Sequence, residues 1–301
     1  MPDRLRALIE APEILVMPGV FDGFSNRIVE ASGFSAGFIT GAGISEARLG
    51  QPDVGLMGFE ENLNAVRALC ASTSLPLLAD ADTGYGNAIN VYHTVQAFER
   101  AGAAGIMIED QVWPKRCGHM AGKEVISADE MVQKIRAAAD ARRDPQFVLM
   151  ARTDAYAPYG IEEAIRRANL YAENGADLLF ADAVLKVEDI AAFAKGVRKP
   201  VCINMGFGIR TRSTTPLLSP RQLQNLGVAA VIWPRMLTAA AIRGMQRALE
   251  AAQESIKTGE PVDRPDLVAS FEELNSLMGF DEFREMERRY VSGGVGAGVE
   301  S

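Results

Sequence analysis

Histidine is nearly absent from this chain of 301 residues, with two in all, and cysteine is scarce, with three. Cys70, Cys117 and Cys202 are too few, odd in number and too far apart for a disulfide framework or a zinc cluster, so reduced thiols are expected. A basic excess is lacking as well. Lys and Arg number 31 against 39 Asp and Glu, a net charge of −8, which disfavours nucleic acid as a partner. No apolar run approaches the ~20 residues of a membrane span, and Met1-Pro2-Asp3-Arg4 lacks the apolar core of a secretory signal. No membrane partner is expected, and the location expected is cytoplasmic. A Walker A loop and a dinucleotide fingerprint are also missing; Pro18-Gly19-Val20-Phe21, where an open doubly wound sheet would carry its phosphate-binding glycines, has none.

What the chain has is a repeated alternation. Short apolar runs at 14–16, 36–40, 75–79, 105–108, 147–151, 178–181, 201–203 and 229–233 are each followed by a stretch with helical periodicity, such as 90–100, 128–142 and 161–174. Continuous apolar runs, unlike alternating ones, suit strands covered on both faces. The pattern predicts an α/β fold, a (β/α)8 TIM-type barrel, for which ~250 residues suffice. Beyond the last run, 238–257 reads as a long Ala-rich helix, and 271–290 as one amphipathic segment carrying Phe271, Leu274, Leu277, Met278, Phe280 and Phe283. That apolar load predicts docking on the barrel or on a neighbouring subunit, hence a homo-oligomer. The expected division is a barrel over 1–258, a C-terminal helical extension over 259–292 and a disordered tail over 293–301.

Chemistry gathers where the apolar runs end. Their C-terminal tips read Thr40-Gly41, Asp80-Ala81-Asp82, Glu109-Asp110, Arg152-Thr153-Asp154, Asp182, Asn204 and Trp233-Pro234, and in a parallel barrel such tips converge on the face that holds the active site. Asp80, Asp82 and Glu109 are carboxylates on neighbouring tips; crowded together they repel unless a cation neutralises them, and an all-oxygen site suits Mg2+, with Mn2+ possible. Asp53 and Asp110 are candidates for an outer ring around that cation. Cys117 lies in the polar loop Pro114-Lys115-Arg116-Cys117-Gly118-His119, whose cations lower a thiol pKa and fit it to give a proton to a carbanion. Arg152 has the fork to hold a carboxylate. Thr40-Gly41-Ala42-Gly43 offers backbone N–H groups to an anion, and 83–87 reads as a mobile loop over the metal site. Cys70, Cys202 and His93 are read as structural.

These motifs together resemble the isocitrate lyase/phosphoenolpyruvate mutase superfamily over nearly the whole chain. The residues that carry the resemblance are Asp80-Ala81-Asp82-Thr83-Gly84-Tyr85-Gly86, Glu109-Asp110-Gln111, Lys115-Arg116-Cys117-Gly118-His119 and Ala151-Arg152-Thr153-Asp154-Ala155. Lys-Arg-Cys-Gly-His resembles the lyase branch, while phosphonate mutases, phosphonate hydrolases and oxaloacetate decarboxylases lack that cysteine loop. The resemblance implies a barrel with its C-terminal helix swapped between subunits, assembled as a dimer of dimers and requiring Mg2+. It implies Asp80, Asp82 and Glu109 as the metal group with Asp53 nearby, and Thr40, Gly41 and Ala42 around a 2-oxo-acid carboxylate. It further implies Cys117 as general acid, with Lys115, Gly118, His119, Arg152, Asp182, Asn204 and Thr215 around the substrate.

The implied activity is carbon–carbon cleavage of a 2-hydroxy di- or tricarboxylate, of the alkylmalate or 2-methylisocitrate type, to a 2-oxo acid and a carboxylate through an aci-carboxylate. Oxaloacetate hydrolysis or decarboxylation is the alternative, and phosphonate chemistry a more distant one. The chain departs from the lyase pattern in having Asp182 where Glu is usual. Its stretch from Asn204 to Thr215 is also longer, lacks a Glu and carries Arg210 and Arg212, which are expected to serve an additional substrate carboxylate.

Overall fold

A computed structural model describes residues 1–116, 122–206 and 215–291. The elements follow in the order α1 (Pro2–Glu10), β1 (Leu15–Val20), α2 (Gly23–Ala31), β2 (Gly37–Ile39), α3 (Gly41–Ile44) running on into a π-helical turn (Ser45–Leu49), and α4 (Phe59–Ser72). Next come β3 (Leu77–Asp80), α5 (Ala88–Arg100), β4 (Gly105–Glu109), α6 (Ala128–Ala141), β5 (Val148–Thr153), α7 (Tyr156–Glu173), β6 (Leu178–Ala181) and α8 (Val187–Gly196). β7 (Val201–Asn204), α9 (Pro220–Asn225), β8 (Ala230–Trp233), α10 (Met236–Thr258), α11 (Phe271–Leu277) and α12 (Phe280–Tyr290) complete the chain. All eight strands are parallel and close in sequence order, β1 pairing with β8 through Leu15–Ala230 to Pro18–Trp233. The TIM-type barrel expected from the apolar runs is therefore the fold.

The barrel interior explains why the runs are continuous. Met17, Phe38, Leu78, Met107, Met150, Phe180, Cys202 and Ile232 belong to one buried cluster, joined by Leu5 and Ile9 of α1. Their strand neighbours, such as Ile39, Leu77, Ile106 and Leu179, are equally buried. Residues on both faces of each strand thus leave water, as a sheet wrapped by helices requires. Helix starts are fixed locally: Asp22 accepts from Ser25 N at 2.8 Å, Ser127 from Glu130 N at 3.1 Å, and Asn87 from Ile89 N at 2.9 Å.

Two compact units are present, Met1–Ala240 and Ala241–Ser301, and α10 begins in the first and continues into the second. In the second unit the segment 271–290 is not one helix. α11 and α12 are separated at Gly279, whose φ of 73° is left-handed. The apolar stretch Leu277-Met278-Gly279-Phe280 hid that break, because hydrophobic periodicity continues across a residue that reverses the backbone. His93, expected in a structural role, is exposed on α5 and packs edge-on to Tyr92 at 5.8 Å, so it fills no core position. Cys202 is buried in β7, and burial pushes the half-buried Cys70 thiol up to about 12. Among the described residues no helix is long and apolar enough to cross a membrane.

Candidate active site

β3 and β4 deliver the acids. Asp80 ends β3, and Glu109 ends β4. Asp82 follows in a left-handed backbone, φ 49°, that an L-residue adopts at a cost, and strain of this kind concentrates at functional sites. The turn is tied down: Asp82 N donates to Asp80 Oδ1 at 3.0 Å, Glu109 N to Asp82 O at 2.9 Å, and Asn62 Nδ2 to Asp80 O at 2.7 Å. A Cβ on Gly41 would lie 3.0 Å from Asp80 Oδ2, so the start of α3 comes this close to the carboxylate because position 41 has no side chain. The loop 83–87, expected to be mobile, is anchored instead. Tyr85 OH accepts from Asn62 Nδ2 at 2.7 Å, Gly84 O accepts from Thr94 at 3.3 Å and from within the turn Asn87 caps α5.

Lys115 reaches into this cluster. Its buried Nζ pairs with Asp53 and lies 2.7 Å from Asp82 Oδ1, an ion pair outside hydrogen-bonding angles. A Cβ on Gly55 would stand 3.3 Å from Lys115 N, so the 53–55 turn rests directly against the Pro114-Lys115 loop. Burial first, then the charge of Asp82, raises the Asp80 carboxyl to about 6, against the lowering pull of Lys115 and Arg152. Glu109 is pushed well above its ordinary value by burial, which the Arg152 guanidinium only partly offsets. Burial opposes the Lys115 charge, yet Asp82, Asp53, Glu109 and Asp80 outweigh it and hold the ammonium well above its usual range.

A second cluster surrounds Arg152. Its Nε and Nη2 hold Asp154 bidentately at 2.8 and 2.9 Å, Nη1 lies 3.1 Å from Glu109 Oε2, and Nη2 lies 3.2 Å from Asp182 Oδ2. Lys123, buried behind it, bridges the same two aspartates at 2.6 and 3.2 Å. The sequence reading placed Arg152 on substrate; the structure shows its fork already shared among three carboxylates. Asp110 points away from Glu109, as strand alternation dictates. It accepts from Thr153, Asp154 N, Tyr171 and Arg167, so it braces the β5 tip rather than standing beside Asp80 and Asp82.

One cavity joins these parts, enclosing about 490 Å3 of non-atom space, part of it open to solvent. Of the residues singled out in the sequence, Thr40, Ala42, Asp53, Asp80, Lys115, Arg152, Asp182 and Asn204 line it, and Asp82 and Glu109 are not among the lining residues. Its apolar wall is Phe38, Met107, Phe180 and Ile232. Thr40 caps α3 by accepting from Gly43 N at 3.2 Å, which leaves the Gly41 and Ala42 amides in the first turn, where a helix has no internal acceptors for them. Thr215 is buried but not among the lining residues. Cys117, Gly118, His119, Arg210 and Arg212 lie outside the described residues. Arg116, next to Cys117 in sequence, does line the cavity.

The donor set fits a hard divalent cation. Asp82 Oδ1 meets the Lys115 ammonium, whereas the buried Asp82 Oδ2, Glu109 Oε1 and Asn204 Oδ1 make no hydrogen bond, and such oxygens are costly unless something positive meets them. Among the described residues no three His, Cys, Asp or Glu side chains converge at ligating distance. Mg2+ commonly takes only one or two carboxylates and keeps waters in its other positions, so this is compatible with its habits.

The sequence profile of the phosphoenolpyruvate phosphomutase family matches residues 5–253. The chain belongs to the phosphoenolpyruvate mutase/isocitrate lyase superfamily. Among superfamily relatives, 2,3-dimethylmalate lyase of Eubacterium barkeri is 39% identical, covering 96% of this chain and 98% of its own. Carboxyvinyl-carboxyphosphonate phosphorylmutase of Arabidopsis thaliana is 42% identical, covering 95% and 84%. The solved structure of oxaloacetate acetylhydrolase with 3,3-difluorooxalacetate superposes at a TM-score of 0.88, with 31% identity and 98% of each chain covered. Members of the superfamily thus place different reactions on one barrel, and the side chains at the mouth must decide among them.

Sequence reasoning missed Lys123, Asp154, Glu46 and Arg235. Asp154 stood in plain view beside Arg152. Lys123 mirrors Lys115 on the far side of the Cys117 loop, a signal that was available. The ion pair of Arg235 Nη1 with Glu46 Oε1, 2.5 Å across 189 positions of sequence, had none.

Proposed function

We propose that this protein is a Mg2+-dependent carbon–carbon lyase that cleaves a 2-hydroxy di- or tricarboxylate into a 2-oxo acid and a carboxylate. The observation that carries the reading is one cavity lined by Asp80, Lys115, Arg152 and Asn204, whose two cations pair with the buried Asp82 and Glu109. Asp80, Asp82 and Glu109 would hold Mg2+ or Mn2+, with Asp53 beside them through Lys115. When bound, the ion lowers the pKa of the substrate 2-hydroxyl and stabilises the oxygen as it becomes a carbonyl.

The residues supply the rest. Thr40 and the amides of Gly41 and Ala42 seat the 2-oxo-acid carboxylate. The hydroxyl proton is lost to a base of the strand-tip cluster, the C2–C3 bond breaks, and its electron pair passes through C3 into the adjoining carboxylate as an aci-carboxylate. Arg152, held flat by Asp154, and His119 stabilise that dianion. Cys117 gives its proton to C3, releasing the second product. Lys115, Gly118, Asp182, Asn204 and Thr215 complete the substrate contacts, with Arg210 and Arg212 as further cations. The apolar residues exposed on α10 and α12, among them Ile242, Met245, Phe283 and Met286, support assembly as a homo-oligomer, a dimer of dimers, and the reading places the enzyme in the cytoplasm.

The test is incubation with Mg2+ and 2,3-dimethylmalate, 2-methylisocitrate, oxaloacetate or phosphonopyruvate, following 2-oxo acid, oxalate and phosphorus products. Cleavage of the 2-hydroxy acids is the expected result. Cys117→Ser should lower the rate by ~10²–10⁴-fold with metal binding intact. A variant keeping the full rate would overturn the acid assignment. The likeness to oxaloacetate acetylhydrolase favours oxaloacetate hydrolysis as the second reading, and oxalate as the main product would establish it over the first.

A further inference from the structure

The β5 tip sets Arg152 into the cavity wall, and the guanidinium is clamped along one edge. Nε and Nη2 donate to Asp154 at 2.8 and 2.9 Å, and the Phe180 ring centroid lies 5.6 Å from the guanidinium carbon. Nη1 makes no hydrogen bond among the described residues, only an ion pair with Glu109. Lys123 stands behind the clamped edge. It is buried and is not among the residues that line the cavity, so any effect it has on a ligand passes through its acceptors. It donates to Asp154 Oδ1 at 2.6 Å and to Asp182 Oδ2 at 3.2 Å. Those are the two oxygens that Arg152 Nη2 also meets, the second as an ion pair at 3.2 Å.

The backbones that present Lys123 and Asp154 share an anchor. Asp110 O accepts from Ile126 N at 2.9 Å, Glu124 O accepts from Val112 N at 2.8 Å, and Asp110 Oδ1 accepts from Asp154 N at 2.8 Å. Arg167, on α7, donates to both Ile126 O at 2.8 Å and Asp110 Oδ2 at 3.2 Å. The ammonium therefore meets Asp154 within a fixed frame, and its charge decides the rest. Two cations share the Asp154 carboxylate; without Lys123 that carboxylate would be left to Arg152, as a buried charge compensated on one side only. A guanidinium drawn onto such an anion has less field to offer a ligand.

We infer that Lys123 is a positioning residue: by holding Asp154 and Asp182 from behind, it keeps the charge and the Nη1 edge of Arg152 for a carboxylate in the cavity. Its part in the reaction rests on the proposed lyase reading, under which that carboxylate is the one that receives the electron pair of the C2–C3 bond.

The experiment compares the wild type with Lys123→Met, Lys123→Arg and the double variant Lys123→Met/Asp154→Asn in Mg2+. The readouts are succinate affinity by calorimetry, kcat and KM for 2,3-dimethylmalate, and Tm. Loss of one unit of buried positive charge beside the anion site corresponds to about 10–100-fold weaker succinate binding in Lys123→Met. Asp154→Asn removes the uncompensated charge, so the double variant should bind within about tenfold of wild type, as should Lys123→Arg, which keeps the cation. Unchanged succinate affinity in Lys123→Met while Tm falls, the behaviour of a purely structural lysine, would overturn the inference. So would a double variant that recovers nothing, or a wild type that binds no succinate. If Lys123→Met does not fold, the double variant carries the test, and a loss there beyond about tenfold would overturn the inference. A wild type that binds succinate but cleaves no 2-hydroxy acid would sink the lyase reading alone, because the binding arm reports on Arg152 whatever the reaction.

Discussion

Lowering the pH from 8 to 5 should loosen the divalent cation in a way the carboxyl environment sets. In the metal-free protein Asp80 titrates near 6, raised by burial and then by Asp82. A cation that needs the ionised form competes with that proton, so the apparent Kd scales as 1 + 10^(6−pH). It is nearly flat above pH 7 and about tenfold weaker at pH 5. Asp82 and Glu109 are raised as well, so the slope exceeds one decade per pH unit if either must also lose a proton on binding. The same shift has a signature in stability. A carboxyl whose folded-state value stands above its unfolded value of 3.8 opposes folding once ionised, fully so above about pH 6. The opposition fades as pH falls toward 4, and a shift of about two units corresponds to on the order of 3 kcal/mol. Metal-free protein should therefore gain from this group on mild acidification, and saturating Mg2+ should cancel the gain. Calorimetric titration with Mg2+, or the signal of free Mn2+ by electron paramagnetic resonance, reads the affinity; thermal unfolding with and without Mg2+ reads the rest. Constant affinity from pH 5 to 8, or an unaltered pH slope in Asp80→Asn, would refute the reasoning.

Two further substitutions probe the scaffold. Lys123→Met removes the buried cation between Asp154 and Asp182, and breaking such a pair on one side costs about 3–5 kcal/mol, a Tm loss of many degrees; an unchanged Tm would show that Arg152 alone neutralises them. Gly19→Ala puts a methyl 2.4 Å from a backbone oxygen that cannot swing aside, which should cost about 1–3 kcal/mol as overpacking, and calorimetric melting indistinguishable from the parent would contradict that contact.

The barrel was legible because a strand wrapped by helices must be apolar on both faces, and runs such as 147–151 and 178–181 have no other use for that composition. The site was legible at the strand tips, since closure brings Asp80, Arg152 and Asn204 together whatever the intervening helices contain. What escaped were partners chosen by space rather than by local pattern. Lys123 finds Asp182 across 59 positions and Arg235 finds Glu46 across 189, distances at which periodicity carries no information. Glu109 and Asp110 look equivalent on paper; the pleat sends one to Arg152 and the other to Tyr171 and Arg167.

The two buried lysines have a consequence for how this barrel can change its chemistry. Lys115 and Lys123 stand at the two feet of the segment that contains Cys117, each gripped by a pair of carboxylates, and Gln111 adds a clip by accepting from Arg116 N at 3.0 Å and donating to Arg116 O at 2.9 Å. Anchors of that kind make the intervening residues a replaceable cassette: their identity can drift, or be grafted from another barrel, while both ends stay bolted to the rim.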